Sequence, residues 1–243
     1  METKIYGHRG SKANYPENTM QGFKKALDYG VDGIEIDIHL TKDDEVVIIH
    51  DKTLDRTTNG TGAVRNHTLA EIRALQINPD LQVPTLVELL TLLNGHPQEL
   101  YIEFKTSEGN ERDALTIEEQ TIEIIRAFKN DRKVIYSSFH LPTVLRIKQL
   151  EPNADIAWQL PKLLLPKPME YIQTLNLEAL HIHKDVILSN PNHYREIFNK
   201  LRVWTVNDPD EMIALYMLGV GAIITDYPDV AVVCMDKHRK SIA

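Results

Sequence analysis

Short apolar runs that end in polar residues alternate with amphipathic segments along most of the chain, and this alternation restricts the fold more than any single motif. The stretches Lys4 to His8, Gly33 to Leu40, Leu100 to Phe104, Lys133 to Ser137, Ile156 to Trp158, Ala179 to His183, Arg202 to Val206 and Ala222 to Thr225 read as strands. Val46 to Ile49 is extended as well. Between them, helical spacing predicts helices over Thr19 to Tyr29, Leu86 to Leu93, Ile117 to Phe128, Leu141 to Leu150, Met169 to Leu175 and Asn190 to Lys200, and from Asp208 up to Gly219. Asn190-Pro191 predicts a cap with a first-turn proline. Asp208-Pro209-Asp210-Glu211 predicts a cap, a first-turn proline and a capping-box glutamate. Repeated βα units with short connections imply a parallel sheet covered by helices. Roughly eight of them in one chain favour closure into a (β/α)8, or TIM, barrel, with a doubly wound open sheet as the alternative.

The chain of 243 residues suits one such barrel, read here as a single domain spanning 1–243. The rhythm breaks between Asp51 and Pro84, where no long helix is evident. That stretch is expected to be an insertion over the site, following the second βα region. Its Gly60-x-Gly62 lacks the lysine of a phosphate loop and reads as a glycine-rich turn. Cys234 is the single cysteine, so neither an intramolecular disulfide nor a thiolate metal cluster can form. It sits beside the run Val230 to Val233 and is expected to pack in the core.

A formal net charge of −8 discourages non-specific binding to nucleic acid or to an anionic membrane, and leaves an anionic substrate in need of a locally cationic site. The first residues lack the apolar core of a signal peptide, and no stretch approaches the roughly 20 apolar residues of a membrane helix. A cytoplasmic location without stable membrane insertion is the expectation.

Parallel barrels carry their active sites at the C-terminal ends of the strands. Here those ends hold His8-Arg9-Gly10, Glu35-Ile36-Asp37, His50-Asp51 and Glu103-Phe104-Lys105. Glu35 and Asp37 are two residues apart on a strand, so both carboxylates point to one face, where they repel unless a cation or a shared proton relieves them. With Glu103 they form an oxygen-rich set suited to Mg2+ or Ca2+, with Mn2+ possible, better than to zinc. Ion pairing of these carboxylates at the barrel rim is the alternative. His8 and His50 fit general acid and base work, since the imidazole pKa lies near neutrality. Histidines at strand ends also serve as plain hydrogen-bonded core residues. Arg9 and Lys105 could clamp a phosphoryl group or simply neutralise the carboxylates. His181-Ile182-His183 places two imidazoles on one face, a spacing that fits a zinc pair less well than barrel packing.

Taken in order, these residues resemble the glycerophosphodiester phosphodiesterase family over nearly the whole chain. His8-Arg9-Gly10, Pro16-Glu17-Asn18-Thr19, Gly33-Ile34-Glu35-Ile36-Asp37, Thr41-Lys42-Asp43 and His50-Asp51 look like its opening. Leu54-Asp55-Arg56-Thr57-Thr58-Asn59-Gly60 resembles the start of its insertion and Pro84-Thr85-Leu86 the exit. Glu103-x-Lys105, Ser138-Phe139, Trp204-Thr205-Val206-Asn207 and Thr225-Asp226-x-Pro228 complete the set. The resemblance implies a divalent cation on Glu35, Asp37 and Glu103, with His8 and His50 as the acid–base pair. It implies Arg9 and Lys105 on phosphate, Trp204 lining the pocket (packing being the alternative), and Glu17 and Asn18 in support. The implied reaction is hydrolysis of a small glycerophosphodiester to glycerol 3-phosphate and an alcohol, by way of a cyclic phosphate. Two departures stand out. Asp44 takes a position where glycine is usual, and Gly221-Ala222 replaces a Gly-x-Asp pattern.

Overall fold

The computed structural model describes residues 2–105, 116–128 and 131–242. Its strands are β1 (Lys4–His8), β2 (Gly33–Leu40), β3 (Val46–Ile48), β4 (Glu99–Phe104), β5 (Val134–Ser138), β6 (Asp155–Gln159), β7 (Ala179–His183), β8 (Leu201–Trp204) and β9 (Ala222–Thr225). All except β3 pair in parallel in a ring. The ring closes where β1 meets β2, with Tyr6 opposite Gly33, and β9, with Lys4 opposite Ala222. It is a closed eight-stranded (β/α)8 barrel. The strand β3 lies outside the ring, antiparallel to β2 with Ile38 opposite Ile48. The α-helices are α1 (Met20–Asp28), α2 (Leu69–Arg73), α3 (Leu86–Leu92), α4 (Ile117–Phe128), α5 (Leu141–Leu150), α6 (Pro168–Thr174), α7 (Lys184–Ser189), α8 (Pro209–Leu218) and α9 (Pro228–Ile242).

Strand alternation builds two cores. On β2, Ile34, Ile36 and Ile38 join the layer between sheet and helices, packed with Phe23, Leu86 and Leu89. On the opposite face of the same strand stand Glu35, Asp37 and His39, all buried. A separate group of Tyr6, Tyr101, Ile135, Ala157, Ala179, Ala222 and Ile224 fills the barrel's inside. This apolar layer floors the space below the carboxylates, so the polar residues of β2 can be buried only toward the C-terminal rim.

Residues 51–84 lie inside the second βα unit, between β3 and α3, and carry small elements of their own. These are a 3-10 turn over Val64–Asn66 and the helix α2, closed by a full capping box between Thr68 and Glu71. Val47, Ile49, Leu54, Val64, Ile72 and Val83 give the segment its own apolar cluster. Asp44, where glycine was expected, has φ of 61°. It closes the β2–β3 turn in the left-handed region that asparagine and aspartate tolerate, and its carboxylate pairs with Arg65 at 2.7 Å.

Elsewhere the elements differ from expectation at a few boundaries. β8 ends at Trp204, two residues short of the expected Val206, although Val206 N still donates to the Ile224 carbonyl of β9 (2.9 Å). Pro191–Lys200 is a 3-10 helix kinked at Ile197, and α7 precedes it. Asn190 bonds back to the Val186 carbonyl (3.1 Å) with its side chain and does not cap forward. α7 starts at Lys184 immediately after β7 and is only six residues long, too short for a helical period to show in the sequence. Asp208 caps α8 through Asp210 N (2.9 Å) and Glu211 N (3.2 Å). The reciprocal half of that box is missing, since the Glu211 carboxylate turns to Lys184 at 2.6 Å. Cys234, on α9, is half-buried and not a core residue.

Candidate active site

At the C-terminal rim, Glu35 and Asp37 of β2 meet Glu103 of β4. Register puts Asp37 directly opposite Glu103, and the three carboxylates each offer an oxygen within 4.8 Å of the others. All three are buried. Two cations reach in. Arg9, just past β1, donates its backbone N–H to Glu35 (3.0 Å) and sets its Nε 3.2 Å from Asp37. Lys105, just past β4, lies 3.0 Å from Asp37 and also hydrogen-bonds Glu103. Asn18 donates its amide to Asp37 at 2.9 Å. Arg9 and Asn18 both have φ of 53°, a left-handed conformation that non-glycine residues adopt rarely and mostly at functional positions. The two are tied together, Asn18 N donating to the Arg9 carbonyl at 3.0 Å.

The electrostatics follow from three buried anions facing two cations. Burial disfavours ionised Asp37, yet Lys105 and Arg9 outweigh it and hold the carboxyl well below its usual range. Burial, then repulsion from Asp37 and Glu103, pushes Glu35 well above. Glu103 is raised by burial, with Lys105 opposing. The protein's own cations thus leave the cluster short of positive charge. The donors are all oxygens, convergent and withdrawn from water, a set that fits a hard divalent cation. Among the described residues no other group of three or more potential ligands converges in this way.

Each proposed catalytic histidine is backed by a carboxylate. His8 Nδ1 lies 2.6 Å from Asp226 Oδ1, and Asp226 is itself held by Asn207 Nδ2 at 2.8 Å. His50 Nδ1 lies 2.7 Å from Asp51 Oδ1, and its carbonyl meets His39 Nε2 at 3.2 Å. A carboxylate only accepts, so Nδ1 carries the proton in both rings and Nε2 is left for the site. Burial lowers the pKa of His8 and His50 alike, so both favour the neutral form. Burial opposes ionisation of Asp226 too, but the bond from His8 prevails and holds it down at about 2. Asp226, Asn207, Asp51 and Arg56 were given no role by residue-level reading. Each stands within a recognisable motif, yet its partner lies elsewhere in the barrel or on a side chain whose direction spacing cannot tell.

Glu17 receives Arg9 Nη1 at 2.9 Å and so supports the guanidinium from behind. Trp204 is half-buried at the end of β8, edge-on to Phe139 (ring centroids 5.5 Å apart) and to His183 (5.2 Å). It packs against the inner apolar group and, through Phe139, reaches a residue that lines the site's cleft. His50, Glu103, Lys105, Ser138 and Phe139 line an open cleft of about 520 Å³. The pair on β7 separates in role. His183 accepts the Asp185 N–H at the start of α7, and His181 lies buried against Tyr101 with centroids 4.8 Å apart. They converge with no third ligand among the described residues.

The C-terminal end of the barrel thus gathers a buried carboxylate triad, two cations and two carboxylate-backed imidazoles, an arrangement able to hold an anionic group and to move protons beside it. Comparison with known proteins narrows the class. The model of the glycerophosphoryl diester phosphodiesterase family matches residues 8–230, and the chain belongs to that family of phosphoric diester hydrolases. A glycerophosphodiester phosphodiesterase of Caldanaerobacter subterraneus subsp. tengcongensis is 35% identical over 94% of this chain and 96% of its own. One from Bacillus altitudinis is 34% identical over 95% and 97%. Among solved structures, an Oleispira antarctica phosphodiesterase in complex with the product sn-glycerol-3-phosphate superimposes with a TM-score of 0.86. It shares 27% identity and covers 97% of each chain.

Proposed function

We propose that this chain hydrolyses glycerophosphodiesters to glycerol 3-phosphate and an alcohol, with His8 and His50 as the acid–base pair. The observation that carries the reading is the pairing of two carboxylate-backed imidazoles with one convergent set of buried carboxylates. A divalent cation held by Glu35, Asp37 and Glu103 would supply counter-charge and Lewis acidity toward the phosphoryl group. Arg9 and Lys105 bind the remaining phosphoryl charge. They are already oriented by Glu17, Asp37 and Glu103, so they need no reorganisation as charge develops. One imidazole takes the proton of the attacking glycerol 2-hydroxyl at Nε2 as the O–P bond forms. The other acts as the imidazolium, with Nδ1–H held by its carboxylate and a second proton taken up from solvent at Nε2. It gives that Nε2 proton to the leaving alcohol as its P–O bond breaks. Water then opens the cyclic phosphate with the roles reversed. Asp51 and Asp226 stabilise whichever ring is protonated at the time. Trp204 and Phe139 border the substrate on the apolar side.

The test is release of glycerol 3-phosphate from glycerophosphocholine and glycerophosphoethanolamine after chelation, with Mg2+, Ca2+ or Mn2+ restored singly. We expect one metal to restore turnover, and His8→Gln or His50→Gln to lower kcat by roughly 10²- to 10⁴-fold. Wild-type turnover in either variant would remove that histidine from the chemistry. No turnover with any metal would point to a different phosphodiester.

A second reading, a phospholipid-derived substrate, is favoured by one feature. Phe139, Leu163, Leu164 and Tyr227 are 41%, 44%, 48% and 41% exposed, and all four follow strand ends on the site's side of the barrel. No helix among the described residues is long and apolar enough to cross a membrane. Co-sedimentation with phosphatidylcholine vesicles would support the lipid reading; an unbound protein active on water-soluble diesters would dismiss it.

A further inference from the structure

Arg56 stands on the inserted segment and makes four hydrogen bonds to two carboxylates. Its Nε and Nη2 reach Asp51 at 2.6 and 2.9 Å, and its Nη1 and Nη2 reach Glu17 at 3.1 and 2.7 Å. Neither carboxylate ends there. Asp51 holds His50 Nδ1 at 2.7 Å, and Glu17 holds Arg9 Nη1 at 2.9 Å. Arg9 continues to Asp37 at 3.2 Å. One unbroken chain, His50–Asp51–Arg56–Glu17–Arg9–Asp37, therefore connects His50 to the carboxylate cluster, with a single guanidinium joining its two halves.

We propose that Arg56 is a positioning residue for the reaction, holding Asp51 and Glu17 at a fixed separation so that His50 and Arg9 are aimed together at the phosphodiester. The inference rests on the roles given above to His50 and Arg9. Arg56 itself belongs neither to the carboxylate set nor to the residues lining the cleft, so it acts through its two carboxylates, one of which, Asp51, does line it. Its side chain is 49% exposed, which makes it a poor candidate for global stabilisation, since exposed ion pairs contribute little. The geometry, by contrast, is specific. Two forks are engaged at once, and only a planar group with donors on two edges can do that. A lysine ammonium at the same position keeps the charge but cannot grip two carboxylates edge-on.

The partners also explain why the insertion belongs where it is. Its apolar cluster folds around Leu54, and the neighbouring Arg56 crosses to Glu17 on the loop after β1. The segment thereby links the strand end carrying Arg9 to the one carrying His50.

The experiment compares wild type, Arg56→Ala and Arg56→Lys for kcat, KM and thermal midpoint, with glycerophosphocholine and the restoring metal. It includes His50→Gln as reference and a guanidinium chloride series at millimolar concentration. We expect kcat to fall about 10- to 100-fold in both Arg56 variants, as for displacement of a catalytic group by about an ångström. KM should change less than kcat and the thermal midpoint little. Guanidinium should restore part of the lost kcat in Arg56→Ala and not in Arg56→Lys. Wild-type kcat in Arg56→Lys would overturn the proposal, as would a loss in Arg56→Ala that guanidinium leaves unchanged. If His50→Gln is itself fully active, the failure belongs to the proposed function and takes this inference with it. If His50→Gln is dead while the Arg56 variants are normal, only this inference fails.

Discussion

At the scale of single residues, burial decides whether an ionisable group becomes chemistry or architecture. His8 and His50 are backed by carboxylates and open to the site on Nε2, whereas His181 has neither advantage. It is packed against Tyr101 inside the barrel, and burial, with Arg202 next to it, depresses its pKa to about 3 from the ordinary 6.5. The folded protein therefore refuses a proton that the unfolded chain accepts. Stability from this residue is complete above pH 6.5, falls as pH drops below that value, and stops falling near pH 3. At pH 5 the loss should be about 2 kcal/mol. His181→Leu removes the difference, so its thermal midpoint should drop by several degrees less than that of wild type between pH 7 and pH 5. Equal drops would mean that His181 is protonated or hydrated in the folded state.

Among the elements, β2 does the most. Its Gly-Ile-Glu-Ile-Asp-Ile-His-Leu alternation sends isoleucines to the helices and ionisable groups inward, and it bonds to β1, β3 and β4. Its first residue has a steric reason to be glycine. A Cβ on Gly33 would meet the Tyr6 ring at 2.2 Å and the Glu99 carbonyl oxygen at 2.8 Å. Tyr6 is fully buried and hydrogen-bonded to Glu99, so the ring has nowhere to move. Gly33→Ala should destabilise by about 1–3 kcal/mol through overpacking at the β1–β2 seam, where the barrel closes. Denaturant unfolding would show it as a lower midpoint with an unchanged slope. A wild-type midpoint would mean that the seam yields more readily than its packing implies.

For the whole molecule, the carboxylate cluster is a fault that a cation would mend. Glu35 has a folded-state pKa raised above 4.5, by burial first and then by Asp37 and Glu103. In metal-free protein its contribution to stability is therefore present below about pH 4.5 and lost as pH rises through the folded value. Glu35→Gln should raise the thermal midpoint of the chelated protein at pH 8 while removing most of the rise that the activating metal gives wild type. A variant that still gains the full metal-dependent rise would exclude Glu35 as a ligand. Stability and function thus oppose each other at this position, as is common where like charges are gathered for a ligand.

Much of this was legible in the chain because it is local. Alternation of two residues on strands and of three to four on helices comes from backbone geometry alone, so the βα rhythm and the shared face of Glu35 and Asp37 could be read directly. Strand ends could be read too, and with them the presence of His8, Arg9, Glu103 and Lys105 at the catalytic rim. The helix starting at Pro191 was legible too, though not its 3-10 form; the six-residue α7 could not be read, since so short a segment carries no period. Nor could the half-used cap at Asp208, whose expected partner found Lys184 instead. What tertiary structure alone decided is who faces whom. Ring closure brings Asp226 to His8 across 218 residues of sequence, and the insertion lays Arg56 between Asp51 and Glu17. It also sends His181 into the packed interior and leaves His183 at the rim. Spacing encodes the direction of a side chain from its own strand, but the meeting of two side chains depends on register and closure over the whole barrel, which no local pattern contains.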